Sequence, residues 1–442
     1  LVGFGAKAGA FPLHIWLPKA HPVAPAPASA LLSGILTKAG IYGVLILSAQ
    51  LFFGDAAWGA LLLGIGALTM FGGALLAVCS VDLKRTLACS SMSQIGFILI
   101  GIGMQGLLVE GRELAVHGTL LHMVNHSMIK LVLFMAAGVI FMNTHALDLN
   151  AIRGYGRNKP LLKVIFGTGA LAIAGVPLFG GYISKTLLHE SIVEYIWMFE
   201  DYTVWARFFQ IVEAIFLFSG GLTAAYMTKL YVAIFIEKNP YNQEKMDASN
   251  GKYMNKESTF ALLGSAVILP ALGMLPYKLM NGIAGMGQGF MHGEDPAEAV
   301  NYFSWANIKG GLASLAIGAI VYFLIIRKCL MAEDKNGNKV YINAWPAKLD
   351  LEDLIYRPLI LTVLPFIGAF CSRICDSLVD TLAYVAKKTV FKPKSVPSRI
   401  VEFAYMRKET KVQRIQREIT NSLSFSLLLF CVGLCGALIY ML

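Results

Sequence analysis

The chain has 442 residues, of which 56% are hydrophobic and only 14% charged, and its mean hydropathy is +0.63. An average soluble domain carries about 25% charged residues, so the composition excludes an ordinary soluble fold. The net charge of +10 sits mostly in certain loops and in the stretch after Val390. That is how membrane topology distributes Lys and Arg, and it argues against nucleic acid as a partner.

In chain order, Leu1–Ala10 reads as the tail of a hydrophobic helix already under way, which leads us to expect a preceding N-terminal part. Apolar runs and breakers then predict about ten membrane segments. They cover 1–17 (broken at Pro12), 25–53, 57–79, 86–106, 114–142, 160–196 (broken at Pro177), 205–236, 258–283, 306–327 and 421–442. Several reach the roughly 20 residues needed to span a hydrocarbon core. Alternate loops are basic: Lys84/Arg85, then Arg153, Arg157, Lys159 and Lys163, then Lys238–Lys256, then Arg327/Lys328. Those between are acidic or neutral, with Asp55, Glu110 and Glu113, Glu200 and Asp201, and Glu294, Asp295 and Glu298. Positive loops belong in the cytoplasm, and a missed helix would scramble this alternation.

Residues 328–420 break the pattern. Asp350, Glu352, Asp353 and Arg357 precede Pro358–Cys371, an apolar run of about 14 residues, short for a span. Charged residues then interleave with Leu378, Leu382, Tyr384 and Val385 at helical spacing. We expect a long amphipathic helix lying along the membrane, about 55 Å long if it ran from Leu354 to Val390, with a re-entrant or tilted extra span at 358–371 as the competing reading. The basic segment Lys392–Arg417 would meet anionic headgroups or a partner subunit. The expected fold is therefore all-α, a polytopic transmembrane helix bundle with Pro-broken helices and a lateral amphipathic helix. Its parts are a core over 1–330, the lateral helix and basic linker over 331–420 on the cytoplasmic side, and a final transmembrane helix over 421–442.

Charges inside a membrane are expensive and mark function by default. Lys7 lies beside Pro12, and Lys38 lies near the middle of a span. His122, His126 and Lys130 recur every four residues, drifting only about 40° per step, so they form one polar stripe. Lys185 follows the Pro177 break, and Glu213 sits within Phe208–Phe218. Lys19, Lys84 and Lys229 fit end-of-helix residues that snorkel to the headgroups. His117 and His145 lie nearer helix ends, off any pathway. His122 and His126 could form half of a zinc site, but no third ligand is adjacent and the next stripe residue is a cation. Proton transfer fits better: His titrates near neutrality, and an apolar setting makes a lysine easier to deprotonate. Broken helices add unpaired backbone groups that can hold water. Gly101-x-Gly103-x-x-Gly106 ends an apolar span instead of following a strand, so it reads as helix packing and not as a nucleotide fingerprint. Cysteines without any CxxC read as helix packing too, and no cofactor is expected on this chain.

Several motifs carry a resemblance. Phe11-Pro12-Leu13-His14-Ile15-Trp16-Leu17-Pro18, Ala20-His21-Pro22-x-Ala24-Pro25, Ser29–Gly34 and Lys38-Ala39-Gly40-Ile41-Tyr42-Gly43 open the series. Leu83-Lys84-Arg85-Thr86-Leu87-Ala88, Ser91-Met92-Ser93-Gln94-Ile95-Gly96, His122-x-x-x-His126-x-x-x-Lys130 and Pro177–Lys185 follow in order. Over roughly residues 1–235 the chain resembles the proton-pumping antiporter-like subunits of respiratory complex I, Mrp antiporters and group 4 nickel–iron hydrogenases. The His21-Pro22 wording and the basic Lys19 lean toward the hydrogenase-4 component B and formate hydrogenlyase subunit 3 branch. The resemblance implies that Lys7 is the central proton-accepting lysine of a broken helix and Lys38 a lysine of the next helix. It implies a connecting relay of Lys84, His122, His126 and Lys130, with Lys185 on the exit side. The 350–390 segment looks like the lateral helix of the largest members. The family's first half, with the glutamate that pairs with the Lys7 equivalent, has no counterpart here.

The leading expectation is a proton-translocating subunit of a redox-driven complex in a bacterial or archaeal plasma membrane, without a redox site of its own. Its expected partners are further antiporter-like membrane subunits, peripheral subunits carrying iron–sulfur clusters, a nickel–iron catalytic subunit in the hydrogenase branch, and lipids. An Mrp-type Na+/H+ antiporter subunit is the alternative. A structural anchor with vestigial charges is a third reading, disfavoured by the full set of buried lysines and histidines.

Overall fold

A computed structural model describes residues 1–389, apart from 109–110, 200–202, 249–252, 295–299, 347 and 349. The predicted final span at 421–442 and the basic segment 392–417 lie outside the described residues. Two compact units divide the chain, Leu1–Tyr356 and Arg357–Leu442.

The first unit is a helix bundle, and the chain is a multi-pass membrane protein. Short helices α1 (Val2–Ala8) and α2 (Trp16–Val23) flank the first break. Then come α3 (Ala26–Leu51), α4 (Ala56–Cys79), α5 (Leu83–Leu107) and α6 (Arg112–Thr144). After the one-turn α7 (Leu149–Ile152), α8 (Pro160–Ala174) and α9 (Gly180–Met198) flank the second break. The long α10 (Thr203–Phe235), α11 (Gln243–Ala248), α12 (Lys256–Met274), α13 (Asn281–Gln288) and α14 (Trp305–Cys329) complete the helices. A two-stranded hairpin, β1 (Met331–Glu333) and β2 (Lys339–Tyr341), follows. Seven apolar helices among the described residues thus fall on predicted runs. Their starts are set by local chemistry, because Asp55, Asp82, Asp148, Asn255 and Ser304 each accept backbone N–H bonds at a helix N-cap.

Helix α5 is the centre of the bundle and, apart from Arg85, is buried from Leu83 to Gln105, its serines and Gln94 included. It crosses α4 at backbone contact. A Cβ on Gly96 would stand 2.2 Å from Met70 N, one on Gly66 2.8 Å from Ile100 N, and one on Gly73 2.6 Å from Ser93 N. Gly103 meets Leu63 N and Gly106 meets Gly59 in the same seam, while Gly101 faces Thr119 and Leu188. The glycine run at the end of this span is helix packing, as the sequence indicates, and small residues are what let membrane helices approach this closely.

The basic loops converge on one face. Leu83 N and Leu149 N close the turns before α5 and α7 on Leu147 O and Val81 O. Arg153 and Arg327 both bind Glu237, whose Oε2 also accepts from Tyr341 OH at 3.1 Å. Asn150 and Arg153 hold the hairpin through Tyr341 O and Lys339 O. On the opposite face, Gly106 packs near Asp55 O, Arg112 lies over the Phe53 ring, and His292 Nε2 meets Ala49 O at 3.0 Å. Loops that alternate in charge along the sequence are therefore segregated in space.

In the second unit, π-helical turns at Leu359–Val363 lead into α15 (Leu364–Thr389). The stretch Glu352–Leu382 is long and apolar enough to cross a membrane by length and composition.

Candidate proton pathway

Both predicted breaks exist, and each frees backbone groups that side chains then bind. At the first, α1 stops at Gly9, whose φ of 78° suits a residue without Cβ, and α2 begins at Trp16. Pro12 lies in the turn between, where Phe11 N donates to Thr69 Oγ1 and Trp16 Nε1 to Ala6 O. At the second, α8 ends on Gly175 (φ 80°) and α9 restarts at Gly180, with Pro177 between. Lys185 Nζ reaches back across this gap to Ile173 O at 2.8 Å, and Asn125 Nδ2 binds Gly180 O at 2.7 Å. An ammonium on the last carbonyls of α8 sits where the helix dipole is negative.

Helix α6 carries the stripe. His122, His126 and Lys130 are all buried, on a single face turned toward α3, α5 and α9. Lys38 Nζ lies 2.6 Å from His126 Nδ1 and 2.6 Å from Ser33 O. A π-helical turn at Leu32–Leu36 immediately precedes Lys38. Such turns widen a helix and leave carbonyls outside the regular ladder, often at functional sites. Here the released acceptor is Ser33 O, which takes both Lys38 Nζ and Thr37 Oγ1.

Serines link this centre to Lys130. Ser33 Oγ and Ser91 Oγ are 2.6 Å apart, Ser91 Oγ donates to Leu87 O, and that carbonyl also accepts Lys130 Nζ at 2.8 Å. Lys130 Nζ further binds Ser90 Oγ, to which Tyr226 OH donates at 2.8 Å. In the other direction His122 joins Gln94 Oε1 through Nε2 and Ser184 Oγ through Nδ1, at 3.1 and 2.9 Å. Ser184 precedes Lys185 in α9. The buried line thus runs from Lys130 through Leu87 O, Ser91 and Ser33 to Lys38 and His126, and from His122 to Ser184, with Lys185 joined to Ser184 by sequence alone. Between His126 and His122 it depends on one helical turn, and His126 Nε2 finds no protein partner among the described residues.

Other predicted residues fall outside this line. Lys84 is buried with Nζ on Ala24 O at 2.8 Å and the Phe141 ring 5.0 Å away. Lys7, in the last turn of α1, has an exposed side chain. His117 pairs with Gln288, and His145 takes a left-handed conformation as the C-cap of α6. Of the lysines expected to snorkel, only Lys19 is exposed, and it pairs with Glu352. Lys229 corrects that expectation: it is buried, and its Nζ binds Ala77 O, Val78 O and Ser80 O at 3.1, 2.7 and 2.7 Å. Its position in α10 looks terminal in sequence, but α4 ends beside it and supplies the acceptors.

Sequence reasoning missed the polar links. Ser33, Ser90, Ser184, Asn125 and Tyr226 are ordinary helix residues until a neighbouring helix faces them. It also missed His189, whose Nε2 lies 2.9 Å from Glu213 Oε1. The available signals were the flagged intramembrane Glu213 and the repeat of four from Lys185 to His189.

Residues 1–210 match the family described as NADH:quinone oxidoreductase/Mrp antiporter, TM. Over that stretch the chain is similar to this family's membrane domain. It is 39% identical over 198 residues to hydrogenase-4 component B of Escherichia coli strain K12, which covers 43% of this chain and 30% of that protein. It is 33% identical over 276 residues to formate hydrogenlyase subunit 3 of the same strain, covering 61% and 44%. The chain therefore spans less than half the length of these curated relatives. The solved Mrp complex from Dietzia sp. shares the fold, with a TM-score of 0.57 at 22% identity over 71% of this chain and 60% of that one.

Proposed function

We propose that this chain is a proton-translocating membrane subunit of a redox-driven respiratory or hydrogenase complex, working through the buried lysine–histidine line. The observation that carries the reading is Lys38 facing His126 in a buried site where, among the described residues, no carboxylate pairs with Lys38, Lys130 or Lys185. A buried unpaired charge is costly, and what sets Lys38 apart from a lysine held by carbonyls alone is a neighbour, His126, that can itself take the proton. Groups that take and release protons escape that cost by sharing charge among themselves. Neighbouring cations repel strongly in a low dielectric, so a proton arriving at one member drives off the proton on the next. Titration then belongs to the line as a whole. In this reading Lys7 receives protons at the first break, Lys38, His126, His122 and Lys130 share them, Lys84 extends the relay on the basic side, and Lys185 passes them outward.

The partners proposed are further antiporter-like membrane subunits, peripheral subunits with iron–sulfur clusters and, in the hydrogenase branch, a nickel–iron catalytic subunit, all in a bacterial or archaeal plasma membrane. The 354–390 segment is proposed to lie along the membrane against those subunits; depth measurements placing 358–371 across the bilayer would overturn this. An Mrp-type Na+/H+ antiporter subunit is the second reading, favoured by the fold shared with the Dietzia complex. Purifying the complex through this chain separates the two, since only the first brings a redox subunit with it. The proton reading is tested in vesicles holding that complex. His126→Ala and Lys185→Ala should each lower pumping at least tenfold, and wild-type pumping in both variants would overturn it.

A further inference from the structure

Beyond Lys185 the buried line does not stop. Helix α9 runs from the second break toward the acidic face, where its Glu194 packs against the Gly111 turn before α6. One turn past Lys185 on the same face stands His189. Both side chains line a cavity of about 40 Å³, together with Tyr182, Thr186, Asn307 and Ser314. A water needs roughly 10–15 Å³ of such volume and two or more polar partners, so the space suits a short water chain between the two. Gly310 of α14 lies beside the imidazole, at ordinary contact distance: a Cβ there would stand 3.4 Å from His189 Cε1 and 3.6 Å from Nδ1.

His189 is bound on its far side. Its Nε2 is 2.9 Å from Glu213 Oε1, and its Nδ1 is 3.9 Å from Glu190 Oε1. These side chains are 15%, 28% and 31% exposed, whereas Lys185 is buried. Exposure at the surface of the bundle thus rises stepwise from Lys185 to the carboxylates. A carboxylate on Nε2–H orients the imidazole and leaves Nδ1 as the nitrogen that can accept a proton.

We propose that His189, oriented by Glu213, is the proton carrier that follows Lys185 and delivers protons to the acidic face. This rests on the proton-translocation reading above. The Lys185 Nζ–H bond breaks, a water in the cavity relays the proton, and an Nδ1–H bond forms on His189. The proton then leaves Nδ1 through Glu190 at the acidic face, returning His189 to the neutral form with Nε2–H still on Glu213. Glu213 is a positioning residue in this step.

The test uses the purified complex in vesicles, with Lys185→Ala as reference. We expect His189→Ala to lower pumping at least tenfold and Glu213→Gln severalfold, with assembly and thermal melting unchanged. Imidazole added on the side of the acidic face should restore pumping to His189→Ala, whereas pyrazole, of the same shape but a far weaker base, should not. Should His189→Ala fail to assemble, His189→Gln keeps the bond to Glu213 and should also lose pumping. Wild-type pumping in the assembled His189 variant, with Lys185→Ala impaired, would overturn the His189 assignment alone. Rescue by both azoles, or by neither, would mark a packing role and overturn it as well. Wild-type pumping in Lys185→Ala would instead count against the exit route as a whole.

Discussion

Lys38 Nζ on α3 and His126 Nδ1 on α6 lie 2.6 Å apart, 88 residues apart in sequence. A π-helical turn before Lys38 exposes Ser33 O, and that carbonyl holds the amine at 2.6 Å. The amine therefore stands between a fixed acceptor, which cannot take a proton, and an imidazole, which can. Only a neutral nitrogen on one side or the other makes this contact a hydrogen bond instead of a clash of two donors. The pair shares a proton count, and that makes it the pivot of the line.

Replacing Lys38 by Arg keeps the charge but removes the ability to release a proton. Lys38→Arg should lower pumping at least tenfold, about 1.4 kcal/mol or more on the transfer barrier, and Lys7→Arg should fail in the same way. The Lys38→Ala/His126→Ala double variant should be no worse than the poorer single one, since both remove the same step. Independent losses that multiply in the double variant would show that the two residues act on separate routes.

Lys229 makes a different prediction from its relay counterparts. Its ammonium caps the last carbonyls of α4, and among the described residues no imidazole or carboxylate touches it. Lys229→Met should cost about 3 kcal/mol through unsatisfied buried acceptors and lower the melting temperature of the complex. The molecules that remain assembled should pump normally. A pumping defect with unchanged melting would move Lys229 into the relay.

At the α4–α5 seam, Gly96→Leu would force a side chain into Met70 N and Gly66 O. Overpacking typically costs about 1–3 kcal/mol, and backbone on both sides puts this substitution at or above the upper end. Thermal melting should fall sharply and assembly yield with it. Gly64→Ala, whose Cβ meets nothing within 4 Å, serves as the control and should be silent.

Topology is testable by cysteine labelling in a cysteine-free background. Asn336 lies in the hairpin turn on the basic face, and Ala57 lies in the first turn of α4 on the opposite one. In sealed cells Ala57→Cys should react with an impermeant reagent from outside, and Asn336→Cys only after the membrane is opened. Labelling of Asn336→Cys from outside would invert the arrangement.

The sequence by itself determined most of the spans among the described residues, both breaks, the alternation of loop charge and the buried Lys38, His122, His126, Lys130 and Lys185. Each of these is a local property: an apolar run long enough to span, a proline in it, a charge where none is cheap. The stripe on α6 was legible for the same reason, because a spacing of four fixes a shared face within one helix. Tertiary structure decided what each side chain faces. Lys38 and Lys229 look alike as intrahelical lysines, yet one meets His126 and the other meets the end of α4. The serine bridges from Ser33 through Ser91 to Lys130, and the His189–Glu213 pair, needed two helices brought to contact. Their residues are unremarkable in any window of sequence, since a hydrogen bond between helices depends on how the two are rotated and crossed.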